Sequence, residues 1–345
     1  MTCRIPFLAF LASLTLGAVG IVHAQEETSI KRGLTLEDYE YTLAEGVTSK
    51  SVTYYSDGVA AHAKIFYPKD FDSSKLTPAI VLGQGWGGTH FSIAKYGARF
   101  AERGLVAMAI DYRGWGLSNG YATIAERGEH TIDTDATHID KRNEEVIVKR
   151  TRLIPMDQVE DYRNAISYIQ GEPGVDKDRI GVWGSSYAGG HVVTVAGLDA
   201  RVKVLVGQIP AIAGKGTEPA PFQMQDRLLG DAIKRAREGQ GAITQTGFST
   251  VRDIDMETYE KTSEYRPWHY LARVGDRPTL FIAAEHEELF NNEENSKAAM
   301  EVLTGPKKFI EVPDITHFEM YIDEAFEISS NAAADWFVEH LGTTK

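Results

Sequence analysis

One stretch of the chain has the residue types and spacing of a nucleophile elbow. Residues 179–190 read RIGVWGSSYAGG: an apolar run ends at Gly184, Ser186 follows, and small residues come next. This layout predicts a strand, a sharp turn that exposes the Ser186 hydroxyl, and a helix. Small residues are needed around the turn because the strand and helix backbones nearly touch there. The G-x-S-x-G pattern is met except at Ala188, and alanine is nearly as small as glycine.

A serine nucleophile at neutral pH requires a general base and an acid that orients the base. The base is predicted to be His317, in the loop between the last predicted strand and a final amphipathic helix. The acid is expected just after the preceding strand, where residues 281–290 read FIAAEHEELF and contain three glutamates but no aspartate. Register favours Glu287 as the acid, and Glu288 and Glu285 are the alternatives.

Two backbone N–H groups are predicted to bind the developing oxyanion. One belongs to Trp86, in the glycine-rich loop 83–88 (GQGWGG), and the other to Tyr187, at the start of the helix that follows the serine. A phosphate cradle is the other functional interpretation of the loop. It is disfavoured because the lysine of a P-loop and a G-x-G-x-x-G register are both missing.

Strands and helices alternate through the segments that must position these residues. Near-continuous apolar strands separated by amphipathic helices predict a mainly parallel sheet, covered by helices on both faces. The pair Asp57-Gly58, between two alternating runs, predicts a hairpin that adds an antiparallel edge. Asp157 and Glu160 have the spacing of a capping box and predict the start of a helix.

The chain divides into a leader, a polar lead-in and one long domain. Residues 1–24 contain Arg4, an apolar run and the small-residue end Val22-His23-Ala24, which predicts a cleaved signal peptide and a secreted or periplasmic protein. An uncleaved membrane anchor is the alternative. Residues 25–50 are predicted to be the lead-in and 51–345 the domain. Segments at about 120–155 and 210–273 are too long for simple connections and predict functional insertions, the second of them a helical lid.

Composition excludes several classes of function. Cys3 is the only cysteine and lies in the predicted leader, so cysteine nucleophiles, thiolate metal sites and disulfides are excluded from the mature chain. A formal charge of −13 disfavours nucleic acid and anionic membranes as partners. The histidines and aspartates within 130–140 lack convincing metal-ligand spacing, so neither a metal nor a cofactor is predicted. His191 is interpreted as a packed, hydrogen-bonded histidine.

Taken together, these residues resemble the α/β-hydrolase superfamily, in the branch shared by dienelactone-hydrolase-like and X-Pro dipeptidyl-peptidase-like (S15-type) proteins. The resemblance covers about residues 52–341, and its motifs are residues 85–88, 111–118, 156–161 and 184–191 together with His317. It implies an α/β-hydrolase fold with a mainly parallel eight-stranded sheet, helices on both faces and a helical lid. It also implies the chain order oxyanion loop, serine, acid and histidine, which this sequence follows.

The resemblance implies hydrolysis of a carboxylic ester through an acyl-enzyme and a Ser-His-Glu triad. Dienelactone hydrolases use a cysteine nucleophile, so Ser186 favours esterase-like chemistry. An S15-like peptidase or amidase, or an acyltransferase, would use the same triad. A non-catalytic binding protein on a hydrolase scaffold is the remaining alternative. The expected partner is a small ester or amide substrate, and the sequence determines neither its identity nor the oligomeric state.

Overall fold

The structure is a computed structural model that describes residues 34–124, 143, 145–213, 221–245 and 253–344. The predicted signal peptide and the histidines and aspartates of 130–140 lie outside these residues. Within the described part, no helix combines the length and the apolar character needed to cross a membrane.

An eight-stranded sheet forms the centre of the fold. Two small antiparallel pairs of strands lie outside it, one joining residues 121–124 to 146–149 and the other joining 243–245 to 253–255. The twelve strands among the described residues are β1 (Thr48–Ser56), β2 (Val59–Tyr67), β3 (Thr77–Gly83), β4 (Val106–Ile110), β5 (Tyr121–Ile124), β6 (Val146–Lys149), β7 (Val175–Ser185), β8 (Val202–Gln208), β9 (Ile243–Gln245), β10 (Asp253–Asp255), β11 (Thr279–His286) and β12 (Lys307–Thr316).

The order of strands in the large sheet is β1-β2-β4-β3-β7-β8-β11-β12. β2 runs antiparallel to both β1 and β4, and the other neighbouring strands are parallel. The predicted α/β fold with a mainly parallel eight-stranded sheet is therefore confirmed. The hairpin at Asp57-Gly58 is also confirmed, because Ser56 pairs with Val59 across it.

Helices cover both faces of the large sheet. Residues of the helices at 90–102 and 323–341 share one buried apolar cluster with Trp183. Residues of the helices at 155–170 and 187–198 share another with Val182. The α-helices of the described residues are α1 (His90–Glu102), α2 (Pro155–Gln170), α3 (Tyr187–Leu198), α4 (Pro221–Glu238), α5 (Glu257–Glu264), α6 (Leu271–Val274), α7 (Ala298–Val302) and α8 (Asp323–Leu341). Short 3₁₀ helices span Glu37–Tyr39, Pro267–Tyr270 and Phe318–Tyr321, and a π-helical turn spans Glu293–Lys297.

The topology brings four loops to one edge of the sheet. β3, β7, β11 and β12 are parallel, so the residues that follow their carboxyl ends lie on the same side. These are the glycine-rich loop, Ser186, the glutamate segment and His317. Ligand sites in α/β proteins form at this edge because the helices leave it open.

The predicted capping box at Asp157 and Glu160 is wrong. α2 begins at Pro155, and its N-cap residue, Ile154, makes no side-chain cap. Asp157 lies inside the first turn, where its carboxylate accepts a hydrogen bond from the Tyr121 hydroxyl at 2.7 Å. Pro155 defines the start of the helix because proline fixes a helical φ and the N–H that it lacks has no partner in the first turn.

The two long insertions contact each other and the helix that follows Ser186. The backbone N–H of Leu153 donates to the Thr258 hydroxyl at 3.0 Å, which joins the end of the first insertion to α5. The second insertion contains α4, α5 and α6, and its Tyr265 hydroxyl lies 2.9 Å from Nδ1 of His191 on α3. The division of the chain into a lead-in, a domain and insertions stays a prediction.

Candidate active site

Ser186 occupies a strained turn between β7 and α3. Its φ of 57° and ψ of −117° are values that L-residues rarely adopt. The backbone N–H of Ser186 donates to the Gln208 carbonyl at 2.8 Å, which fixes the turn against β8. A Cβ at Gly184 would collide with the Ala188 carbonyl, so the close approach predicted from the small residues is present. The turn holds the serine side chain above the sheet edge.

A continuous chain of hydrogen bonds joins Ser186, His317 and Glu287. Nε2 of His317 lies 3.0 Å from Oγ of Ser186, and Nδ1 lies 2.8 and 2.9 Å from the two carboxylate oxygens of Glu287. A carboxylate only accepts hydrogen bonds, so the proton of a neutral His317 lies on Nδ1 and Nε2 is free to accept the serine proton. The His317 and Glu287 side chains are almost wholly buried, at 1% and 2% exposure.

All three glutamates at the carboxyl end of β11 bind residues 314–317, but at different atoms. Glu287 contacts the imidazole and also accepts from the backbone N–H of Leu289 at 3.0 Å. Glu288 accepts from the backbone N–H of His317 at 2.7 Å, and Glu285 accepts from the backbone N–H of Asp314 at 2.9 Å. The structure therefore brings Glu287 to the imidazole ring and directs Glu288 and Glu285 to backbone N–H groups.

The glycine-rich loop closes over Ser186 from the other side. A Cβ at Gly85 would lie 2.8 Å from Cβ and 3.2 Å from Oγ of Ser186, so only glycine lets the loop approach this closely. The next residue is Trp86, whose ring packs edge-on against Tyr187 at a centroid distance of 5.4 Å. Tyr187 is the first residue of α3, where backbone N–H groups have no partner within the helix. Both residues predicted to bind the oxyanion thus flank Ser186.

Comparisons with known proteins agree with this architecture. Residues 57–217 match the model of the X-Pro dipeptidyl-peptidase (S15) family. The crystal structure of hypothetical protein PA2218 from Pseudomonas aeruginosa superposes with a TM-score of 0.70 at 22% identity, covering 91% of this chain and 99% of that one. The chain has the α/β-hydrolase fold, and its residues 57–217 resemble the S15 family.

Two curated relatives match most of this chain. An uncharacterized 31.7 kDa protein of Escherichia coli is 27% identical over 76% of this chain and 91% of its own length. The acyltransferase drtE of Aspergillus calidoustus is 23% identical over 74% of this chain and 84% of its own. Further matches include a thiohydrolase and a carboxylesterase. These similarities support an enzyme of the hydrolase or acyl-transfer type.

Ser185, which precedes the elbow serine, faces a different part of the protein. Its hydroxyl lies 2.7 Å from the Tyr321 hydroxyl and accepts from the Gln208 side-chain amide at 3.3 Å. Ser185 is fully buried, so it supports the elbow from below and does not face the edge where Ser186 lies. The Ser185 side chain therefore points away from the apex of the elbow.

His191 is a packed, hydrogen-bonded histidine, as the sequence predicted. It is fully buried in α3, with Nδ1 2.9 Å from the Tyr265 hydroxyl and Nε2 2.9 Å from Oε1 of Gln158. Oε1 of Gln158 can only accept a hydrogen bond, so the proton of the His191 ring lies on Nε2. Nδ1 of His191 then accepts a hydrogen bond from the Tyr265 hydroxyl. Burial lowers the pKa of His191 to about 3.

A buried cluster of His62, His90 and Asp111 was missed by sequence reasoning. Oδ2 of Asp111 lies 3.0 Å from Nδ1 of His62 and 2.8 Å from Nδ1 of His90, and it accepts from the backbone N–H of Leu117 at 3.0 Å. Burial would raise the pKa of Asp111, but the hydrogen bonds from the two histidines outweigh burial and lower it far below its usual range. Asp111 begins the motif 111–118, which was the available signal, whereas neither histidine lies in a motif.

Proposed function

We propose that this protein is a serine hydrolase that cleaves a carboxylic ester through an acyl-enzyme. The observation that carries the proposal is the chain of hydrogen bonds from Ser186 through His317 to Glu287, with distances of 3.0 and 2.8 Å. Both distances lie within the range in which a general base takes the proton of a nucleophile. The expected substrate is a small ester, and a small amide is the alternative.

In the proposed reaction, Nε2 of His317 takes the hydroxyl proton while Oγ of Ser186 attacks the ester carbonyl carbon. The carbonyl oxygen becomes an oxyanion, which accepts hydrogen bonds from the backbone N–H groups of Trp86 and Tyr187. The protonated imidazole then gives its proton to the departing alcohol. Water, deprotonated by His317, attacks the acyl-enzyme, and the proton returns to Ser186 as the acid leaves.

Glu287 has two roles in this proposal. Its carboxylate holds the imidazole in the tautomer that leaves Nε2 available, and its negative charge stabilises the imidazolium that forms in each step. Burial of both side chains strengthens this interaction, because little water is present to screen it. The rings of Phe290 and Phe318 pack edge-on against His317, at 5.6 and 5.2 Å, and limit the access of water to the base.

Transfer of the acyl group to an acceptor other than water is the second candidate function. It is favoured by the similarity to an acyltransferase and to a thiohydrolase. Cleavage of an amide is the third and is favoured by the match to the X-Pro dipeptidyl-peptidase family. All of these reactions share the acyl-enzyme and differ in the leaving group or the acceptor.

The test of the shared chemistry compares two neighbouring serines. Ser186→Ala is expected to abolish hydrolysis of p-nitrophenyl acetate and covalent labelling by a fluorophosphonate. Ser185→Ala is the matched control and is expected to retain labelling, because its hydroxyl bonds to Tyr321 and not to His317. Wild-type hydrolysis by Ser186→Ala would disprove the proposal, and failure of the wild type to label would favour a binding protein.

A substrate panel separates the candidates that share the triad. Wild type and Ser186→Ala are compared on esters of increasing acyl length, thioesters and X-Pro amides, each with and without an alcohol or amine acceptor. Faster turnover of esters than of amides, with release of free acid, is expected. Products that carry the acyl group on the added acceptor would instead indicate a transferase.

We also propose that the protein is exported and cleaved after Ala24. The support is the arrangement of Arg4, the apolar run and the small-residue end in residues 1–24. Expression of the full chain in a bacterium, followed by cell fractionation and N-terminal sequencing, tests the proposal. A cytoplasmic protein that retains residues 1–24 would contradict it, and an intact membrane-bound chain would indicate the anchor.

A further inference from the structure

We propose that His62, His90 and Asp111 form a binding site for a divalent transition-metal ion. One ligand atom from each of the three side chains lies within 4.8 Å of the others. Two imidazoles and a carboxylate are donors that zinc and its neighbours in the first row accept. The proposal concerns a site outside the Ser186 centre, so it does not depend on the proposed reaction.

The three ligands come from elements that are distant in sequence and fixed in space. His62 lies on β2, His90 is the first residue of α1, and Asp111 directly follows β4. Asp111 is held by the backbone N–H groups of His90 and Leu117, which donate to Oδ1 and Oδ2 at 2.7 and 3.0 Å. A Cβ at Gly116 would collide with this carboxylate, so the loop after β4 must have glycine there. The donor set is therefore preorganised.

The distances between donors are close to those around a tetrahedral ion. The Nδ1 atoms of His62 and His90 lie 3.0 and 2.8 Å from Oδ2 of Asp111. With metal–ligand bonds of about 2.0–2.2 Å, neighbouring ligands of tetrahedral zinc are separated by roughly 3.3 Å. An outward shift of roughly 0.3–0.5 Å by each imidazole would make room for the ion. His90 is 17% exposed, which provides an entry path and a place for a water as the fourth ligand.

The cluster is poorly satisfied by hydrogen bonds alone. Oδ2 of Asp111 is shared by two imidazoles and a backbone N–H. Among the described residues, Nε2 of His62 is buried and has no hydrogen-bond partner. An unpartnered buried nitrogen is unfavourable, because it has lost its hydrogen bond to water. An ion bound by the two Nδ1 atoms would replace the hydrogen bonds that share Oδ2 of Asp111, with the proton of each imidazole on Nε2.

A metal at this site would connect β2 and the end of β4 to the helix that follows the glycine-rich loop 83–88. Residues 83–88 lead directly into α1, whose first residue is His90, and Gly85 of the same loop touches Ser186. Binding to His62, His90 and Asp111 would connect β2, α1 and the loop after β4. We therefore expect the ion to stabilise the fold at the edge where Ser186 lies.

The experiment measures metal binding by the full chain after treatment with EDTA. Titration with Zn²⁺ is expected to show a site that His62→Ala and His90→Ala each weaken by at least about 100-fold. Zinc at a hundredfold excess over its dissociation constant should raise the Tm of the wild type by about 5 °C, and this shift should be lost in both variants. Equal zinc binding by the wild type and both variants would disprove the site.

The matched control is His286→Gln. His286, Glu285 and Asp314 form a second cluster of possible ligands, but all three are exposed. This variant should bind zinc as the wild type does, and loss of binding here would show that the ion sits at the surface. A second measurement does not depend on how the variants fold: Co²⁺ added to the wild type should give the visible absorption band of a tetrahedral site. Absence of both this band and zinc binding would overturn the proposal.

Discussion

Two buried histidines lie near the elbow, one in contact with Ser186 and the other in contact with the ring of Tyr187, and they differ in the groups that surround them. His317 lies in a loop, where its ring contacts the carboxylate of Glu287 at 2.8 Å. His191 lies inside α3, where its ring contacts the neutral side chains of Gln158 and Tyr265. Both rings are removed from water, so the comparison isolates the effect of the neighbouring charge. Burial alone makes a histidine resist protonation, and a buried carboxylate is needed to stabilise the imidazolium.

Removal of the charge next to His317 is expected to have the largest effect. Glu287→Gln keeps the size of the side chain but provides no negative charge and allows the wrong tautomer of the imidazole. We expect kcat/KM for p-nitrophenyl acetate to fall by about 10³–10⁴-fold, with the melting temperature nearly unchanged. Activity within tenfold of wild type would show that His317 does not depend on this carboxylate and would remove the contrast between the two histidines.

The opposite behaviour is expected at His191, where stability and not activity depends on pH. The folded pKa of about 3 lies below the ordinary histidine pKa of 6.5, so the folded state binds fewer protons than the unfolded state between these values. Stability from this group is therefore complete above pH 6.5 and is lost as the pH falls toward 3. The loss is about 1.4 kcal/mol for each pH unit below 6.5.

Chemical denaturation at several pH values measures this contribution. The free energy of unfolding of the wild type is compared with that of His191→Gln, which cannot titrate. The advantage of the wild type should shrink by roughly 2–3 kcal/mol between pH 6.5 and pH 4.5. A difference that stays constant over this range would mean that His191 is not kept neutral by burial.

The smallest effects are expected from Glu285 and Glu288, the two other glutamates at the carboxyl end of β11. Glu288→Gln keeps an oxygen for the backbone N–H of His317 but loses the charge, and we expect kcat/KM to fall by about tenfold, since a hydrogen bond to a charged group is worth about 1.5–3 kcal/mol. Glu285→Gln is the control, because Glu285 accepts from the backbone N–H of Asp314 and not from that of His317; its kcat/KM should stay within about threefold. A loss for Glu288→Gln as large as that for Glu287→Gln would contradict the separation of their roles.

Sequence reasoning works best where one local pattern restricts the backbone. Ser186 was found because the elbow needs small residues at Gly184 and Ala188, and His317 because it follows the last strand. It fails where a local pattern competes with tertiary contacts: Asp157 matches a capping box, but its carboxylate binds Tyr121, and Pro155 begins the helix.

The cluster around Asp111 could not be predicted by the same means. Its members are separated by 28 and 21 residues along the chain and meet because β2 pairs with β4 while α1 begins beside the end of β4. None of them has a characteristic spacing relative to the others. Only the sheet order places His62 next to a loop that follows β4.

By itself, the sequence determined the parallel sheet, the elbow at Ser186 and the chain order of serine, acid and histidine, because hydrophobic periodicity and small-residue turns are local properties. The tertiary structure decided which glutamate contacts the imidazole of His317. Glu285, Glu287 and Glu288 lie within a stretch of four residues, and all three carboxylates bind residues 314–317. The backbone path after β11 directs one of them to the ring and two to the main chain, and residue type alone carries no information about that direction.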